Sequence, residues 1–200
     1  QAWPYAPHLM DLLEDQVLVA TDAQETRDLI KILASLYKQA DDDTAIITAA
    51  DFRLEDPTIY MNNYQTKHQC PLLLKKFVYG LPEINFNDIK SSKNVAIPGC
   101  YPTSILLPLI PLLKENLILT SNIIIDSKSG YSGAGKNYDL KNLIQENGLN
   151  FYNYNTNNHR HICEIDQELK KFSKSEVKFS FNPHILPIFR GMMSTIYCDL

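Results

Sequence analysis

Apolar positions recur with helical spacing in two early stretches, Asp11 to Val19 and Ala23 to Gln39, with Thr21 or Asp22 as an N-cap ahead of Glu25. The period then changes. Ala45 to Ala49 reads as a strand leading into Asp51, 55–71 is polar and irregular, and Leu72 to Val78 fits one helix. Asn94-Val95-Ala96-Ile97 is a short buried strand by pattern, and Pro102 to Glu115 is an apolar helix. Pro108 and Pro111 fall inside that helix; each removes a backbone donor, so a kinked or shortened helix is expected. Leu117 to Ser127, Val177 to Asn182 and Met193 to Leu200 carry strand patterns, and Leu140 to Asn147 and Ile162 to Phe172 helical ones. Strands following long helices predict an α/β to α+β core.

Composition narrows the class. Two hundred residues suffice for one sizeable core or two small ones. Nineteen basic against 23 acidic residues leave a net charge of −4, which points to neither nucleic acid nor a phospholipid surface. No apolar run approaches a membrane span, and no basic-then-apolar leader is visible. Cys70, Cys100, Cys163 and Cys198 show neither CxxC spacing nor a metal-site rhythm; they read as free thiols in a reducing cytosol, with no metal site and a cytoplasmic location. The chain is not uniform, however. Residues 1–50 contain no asparagine, and all seven glycines lie at or after Gly80, so no dinucleotide-binding glycine fingerprint precedes that point.

The candidate chemistry starts at Ile97-Pro98-Gly99-Cys100-Tyr101-Pro102-Thr103. A cysteine at a strand-to-helix turn meets the unsatisfied N–H groups and positive dipole end of the helix, which favour a thiolate nucleophile. The competing reading is a small buried hydrophobe. His159-Arg160-His161 offers imidazoles for proton exchange, or else simply caps a helix starting near Ile162. Arg160 and Glu164 near the same turn form a surface pair by pattern; Arg53 and Arg190 carry guanidinium forks that match phosphate or carboxylate oxygens. In Gly130-Tyr131-Ser132-Gly133-Ala134-Gly135 the spacing is wrong for G-x-G-x-x-G, so it is either a plain tight turn or a loop offering backbone N–H groups to a ligand.

Taken in order, Asp51-Phe52-Arg53-Leu54, Val78 to Glu83, the cysteine run, the glycine loop, His159 to Ile165 and the closing His184 to Tyr197 resemble N-acetyl-gamma-glutamyl-phosphate reductase, a relative of aspartate-semialdehyde dehydrogenase, from about Ala50 to Leu200. The resemblance implies an NADPH-dependent reduction of an acyl phosphate in arginine biosynthesis, with inorganic phosphate as leaving group and a cysteine thioester on the way. It implies Cys100 as nucleophile, His159 as acid/base and His161 as an ordering residue. Arg160 and Glu164 then orient the histidine or bind substrate, Arg53 and Arg190 bind substrate, and Ser132, Gly133, Ala134 and Gly135 approach the nicotinamide end of NADP. It further implies an incomplete or divergent dinucleotide-binding portion over 1–98, a catalytic domain over 99–200 that stops before its final segment, and a homo-oligomer formed through the sheet of that domain. Cys163 stands where the family prefers proline, and Ile97 where it prefers asparagine. Two other readings stay open: a non-catalytic module that keeps the fold but binds no NADP, and a sister reductase acting on an aminoadipyl or aspartyl phosphate.

Overall fold

The computed structural model describes residues 18–20, 45–47, 50–134 and 151–200. The helices expected over Ala23 to Gln39 and Leu140 to Asn147 lie outside the described residues. The chain divides into two compact units, 1–98 and 99–200.

In the first unit four short strands, β1 (Leu18–Ala20), β2 (Ala45–Ile47), β3 (Val78–Tyr79) and β4 (Asn94–Ala96), form a parallel sheet in the order β1-β2-β4-β3. Every β4 residue is buried, as suits a central parallel strand. The helix read over Asp11 to Val19 is corrected at its end, where Leu18 and Val19 pair with Ala45 and Ile46. A short apolar run does not separate helix from strand by period, and here a sheet partner decides. Residues 55–71, expected to be irregular, contain helix α1 (Pro57–Tyr64). Asp56 caps it by accepting the Thr58 N–H at 2.6 Å, and Pro57 fills the first turn. Only Tyr60 of that helix is buried, so no apolar period announces it. Leu72 to Val78 is not one helix: a 3-10 helix over Pro71–Lys76 gives way to β3. Helix α2 (Pro82–Ser91), without a buried residue, follows. Phe52 stacks on Phe77 at 4.1 Å and packs with Leu74 and Ala96 in the core. His68 is satisfied inside this unit, with Nε2 2.9 Å from the Asp51 carbonyl and Nδ1 accepting the Cys70 N–H at 3.1 Å.

The second unit holds helices α3 (Cys100–Lys114) and α4 (His161–Lys170) and a mixed sheet. Its strands are β5 (Ile123–Gly130), β6 (Tyr152–Asn153), β7 (Phe179–Leu186) and β8 (Met192–Tyr197), in the order β6-β7-β5-β8. β5 runs parallel to β7 and antiparallel to β8; β6 is antiparallel to β7. Burial alternates along β5, with Ile123, Ile125, Ser127 and Ser129 inward and Ile124 exposed, the period-2 signature of a sheet covered on one face. α3 packs against α4 and β8 and buries Ile105, Leu106, Leu109, Ile110 and Leu113. This α/β architecture meets the expected fold class.

The boundaries shift for local reasons. α3 runs through Pro108 and Pro111, which are both exposed, so the ladder bonds they cannot donate are lost on its solvent side. The strand expected from Leu117 starts only at Ile123, because Asn116 and Asn122 take left-handed backbone (φ 52 and 60) that breaks the run. β7 continues past Asn182 through Pro183, whose carbonyl accepts the Tyr154 N–H at 3.0 Å.

Candidate active site

Gly99 is the N-cap of α3 and Cys100 its first helical residue, exposed to solvent. The Gly99 carbonyl accepts both the N–H and the hydroxyl of Thr103 at 2.9 Å. Pro102 has no N–H, so the first-turn amides left without an intrahelical acceptor are those of Cys100 and Tyr101. The Gly99 N–H itself donates to Oε1 of Glu164 at 2.8 Å. A side chain does not fit at Gly99: a Cβ there would lie 2.7 Å from Nε2 and 2.9 Å from Cε1 of His161.

Behind the cysteine lies a buried aromatic group. The Tyr101 ring meets His159 at 5.5 Å, His161 at 6.0 Å and Phe181 at 5.3 Å, each edge to face. The Tyr154 hydroxyl donates to that of Tyr101 at 3.3 Å, which donates in turn to the His184 carbonyl at 3.2 Å. Burial raises both phenols. Tyr154 also stands 5.5 Å from His159, ring to ring.

His159 is 8% exposed, and burial together with the Arg160 charge pushes it down to about 4. The ring therefore stays neutral at pH 7. The backbone N–H of His161 donates to its Nδ1 at 3.1 Å, so the ring proton sits on Nε2. His159 thus presents an N–H donor.

The other expected site residues separate into groups. Arg160 is exposed at the N-terminus of α4, and its carbonyl accepts from the Cys163 thiol at 3.0 Å. Burial pushes that thiol up to about 11, which leaves Cys163 a poor second nucleophile. Glu164 is 1% exposed and turned to the Gly99 amide rather than to solvent. Arg190 is exposed and stacks over Phe189 at 5.2 Å. The segment 188–191 that carries it is stitched to the end of β5. Gly130 N–H donates to the Gly191 carbonyl at 2.9 Å, Tyr131 N–H to Ile188 and Ser132 N–H to Phe189, both at 3.0 Å. The Ser132 amide is therefore already used; Ser132 and Gly133 are exposed in a 3-10 turn over Tyr131–Ala134, which contains Ala134, and Gly135 lies outside the described residues. Arg53 belongs to the first unit, where its Nε donates to the Ile97 carbonyl at 2.7 Å. Tyr101, Tyr154 and Gly99 escape a sequence reading, because each takes part in a hydrogen bond to a residue 53 to 83 positions away. No helix among the described residues is long and apolar enough to cross a membrane, and no group of metal-ligating side chains occurs among them.

Residues 100–200 match the family model described as semialdehyde dehydrogenase, dimerisation domain. The chain is 43% identical over 187 residues to N-acetyl-gamma-glutamyl-phosphate reductase of Ehrlichia canis, covering 93% of this chain and 52% of that protein. It is 50% identical over 151 residues to the reductase of the same description from Desulforamulus reducens, covering 76% and 44%. The chain thus spans about half the length of the curated relatives it matches. Among solved structures, aspartate semialdehyde dehydrogenase II of Vibrio cholerae superposes with a TM-score of 0.59 at 13% identity, over 92% of this chain and 55% of that one. The enzyme with NADP from Candida albicans does so with a TM-score of 0.50 at 16%, over 93% and 51%. At such identities the likeness is one of fold.

Proposed function

The chain belongs to the semialdehyde dehydrogenase family, and from that premise we propose that it carries the thioester-forming half of an NADPH-dependent reduction of N-acetyl-gamma-glutamyl phosphate to N-acetyl-glutamate semialdehyde, in arginine biosynthesis. The observation that carries the reading is the placing of Cys100 as the exposed first residue of α3, beside the buried group of Tyr101, His159 and His161. The Cys100 thiolate attacks the acyl carbon, a C–S bond forms, and the C–O bond to phosphate breaks with its electron pair leaving on inorganic phosphate. The oxyanion formed in that attack faces the Cys100 and Tyr101 amides, whose stabilisation is the dominant electrostatic contribution in such sites. His159, neutral and protonated at Nε2, is suited to offer that N–H as a hydrogen-bond donor to the carbonyl oxygen. Arg160 and Arg190, both exposed, are the candidates for binding phosphate or carboxylate oxygens.

Reduction of the thioester needs a hydride donor, and NADPH is the one the family resemblance implies. The residues of this chain do not fit the pyrophosphate end of a dinucleotide. No glycine precedes Gly80, and a Cβ at Gly80 would meet Val95 Cγ1 at 2.7 Å and the Ala96 carbonyl at 3.0 Å, so that glycine serves strand packing. This observation favours a second reading, a module that keeps the fold and forms no NADP complex. We further propose that the chain forms a homo-oligomer through the sheet of residues 99–200, in line with the dimerisation-domain match.

Two measurements separate these readings. Incubation with N-acetyl-gamma-glutamyl phosphate, without reductant, should leave an N-acetylglutamyl adduct on the Cys100 peptide by mass spectrometry, and none in Cys100→Ser. An unmodified Cys100 in folded protein refutes acyl transfer by this chain. Fluorescence titration with NADPH then tells a hydride-competent protein from an acyl-transfer half.

A further inference from the structure

Helix α4 carries two buried side chains that meet one backbone atom group, the Gly99 turn. His161 and Glu164 are three residues apart, which places them on one helix face. They are 5% and 1% exposed. The His161 ring occupies the space where a Cβ of residue 99 would project, 2.7 Å away, and Oε1 of Glu164 accepts the Gly99 N–H at 2.8 Å. On its other side Gly99 is tied to α3, through the two bonds its carbonyl accepts from Thr103. The residue before Cys100 is thus held at its amide, at its α-carbon and at its carbonyl, and two of those three holds come from α4.

We propose that Glu164, with His161 beside it, is a positioning residue for the nucleophile: it fixes the Gly99 amide so that the Cys100 sulfur and the Cys100 and Tyr101 N–H groups keep one geometry toward an acyl carbon. This rests on the reading of Cys100 as an acyl-accepting thiol. It assigns the glutamate a task distinct from contact with substrate, and it explains why a carboxyl group is buried in the first turn of α4. The bonds that Glu164 makes matter only for acyl transfer, where an oxyanion has to meet the turn amides. Plain alkylation of the sulfur needs no such alignment.

The test compares two reagents on one chain. With p-nitrophenyl acetate, the Cys100 sulfur forms a thioester and p-nitrophenolate leaves with the electrons of the broken C–O bond; with iodoacetamide, the sulfur is alkylated and iodide leaves. Both rates are assigned to Cys100 by peptide mass mapping. In Glu164→Met, which keeps the volume and loses the acceptor, acylation should fall on the order of 10²-fold, while alkylation stays within about threefold. Glu164→Gln, which retains an acceptor oxygen, should restore most of the acylation. Gly99→Ala, whose added methyl presses on the His161 ring and leaves the Glu164 carboxylate in place, should show the same selective loss and serves if Glu164→Met does not fold. Equal acylation-to-alkylation ratios in wild type and these variants overturn the positioning role. A wild-type Cys100 that is neither acylated nor alkylated faster than Cys70 and Cys198 overturns the nucleophile reading, and the positioning role with it.

Discussion

At the scale of single residues, His159 shows how burial redirects a side chain whose type was already informative. Its folded value of about 4 lies below the ordinary 6.5, so between those values the unfolded chain binds more protons than the folded one. Stability from this group is therefore complete above about pH 6.5 and is lost as pH falls through 4, on the order of 3 kcal/mol in all. His68, also lowered chiefly by burial, adds a contribution of the same sign. Urea unfolding at pH 7 and pH 4.5 should show a marked loss, and His159→Gln should remove much of it; an unchanged difference refutes the burial of a neutral ring. The catalytic counterpart is an acylation rate without a limb near 6.5 from this residue. Cys100 and His159 are legible in the sequence because reactive residue types sit in short local motifs. Their surroundings are not. Tyr101, Tyr154 and His184 join through hydroxyl and carbonyl groups that only the folded chain brings together.

Among elements, legibility follows burial. α3 and α4 bury a face, carry an apolar period, and stand within two residues of where the pattern puts them. α1 buries only Tyr60 and α2 nothing, so each is signalled locally, by a first-turn proline in both and by the Asp56 cap in α1 alone. The prolines of α3 are the exception to a rule about propensity rather than to one about packing. Pro108 and Pro111 lie three apart on the solvent side while Leu109, Ile110 and Leu113 face the core. Apolar burial at the core side outweighs the lost ladder bonds, each buried side chain of this kind being worth about 2 kcal/mol. Pro108→Ala should therefore keep the fold and regain an intrahelical bond, raising stability by about 1–2 kcal/mol after the greater freedom of the unfolded chain is subtracted. Thermal unfolding checks it. A lower Tm in the variant instead means that Pro108 itself is needed for α3 to pack on β8.

For the whole molecule, the sheet of residues 99–200 poses a physical problem that the site does not. Its inner face meets α3, which packs in turn on α4, while the outer face presents Ile124 near the start of β5, with Tyr197 opposite it on β8 and Met193 further along that strand, 46%, 57% and 58% exposed. Beside them on the same face a polar chain runs from Lys128 through Asp126 to His184, whose Nδ1 is 3.3 Å from Asp126 Oδ1. Large apolar side chains around a satisfied polar group suit contact with another protein surface better than permanent hydration. A second copy of this chain is the proposed occupant, in line with the dimerisation-domain match. Ile124 sits on β5, flanked by β7 and by the edge strand β8 with Tyr197 beside it, so a charge there loses its water once the face is covered. Ile124→Asp should weaken association by about 2 kcal/mol or more, roughly 30-fold in Kd, with little change in the stability of the separate chain. Sedimentation of both proteins near micromolar concentration decides it: a shift from dimer to monomer supports association through this face, and unchanged sedimentation moves the interface elsewhere.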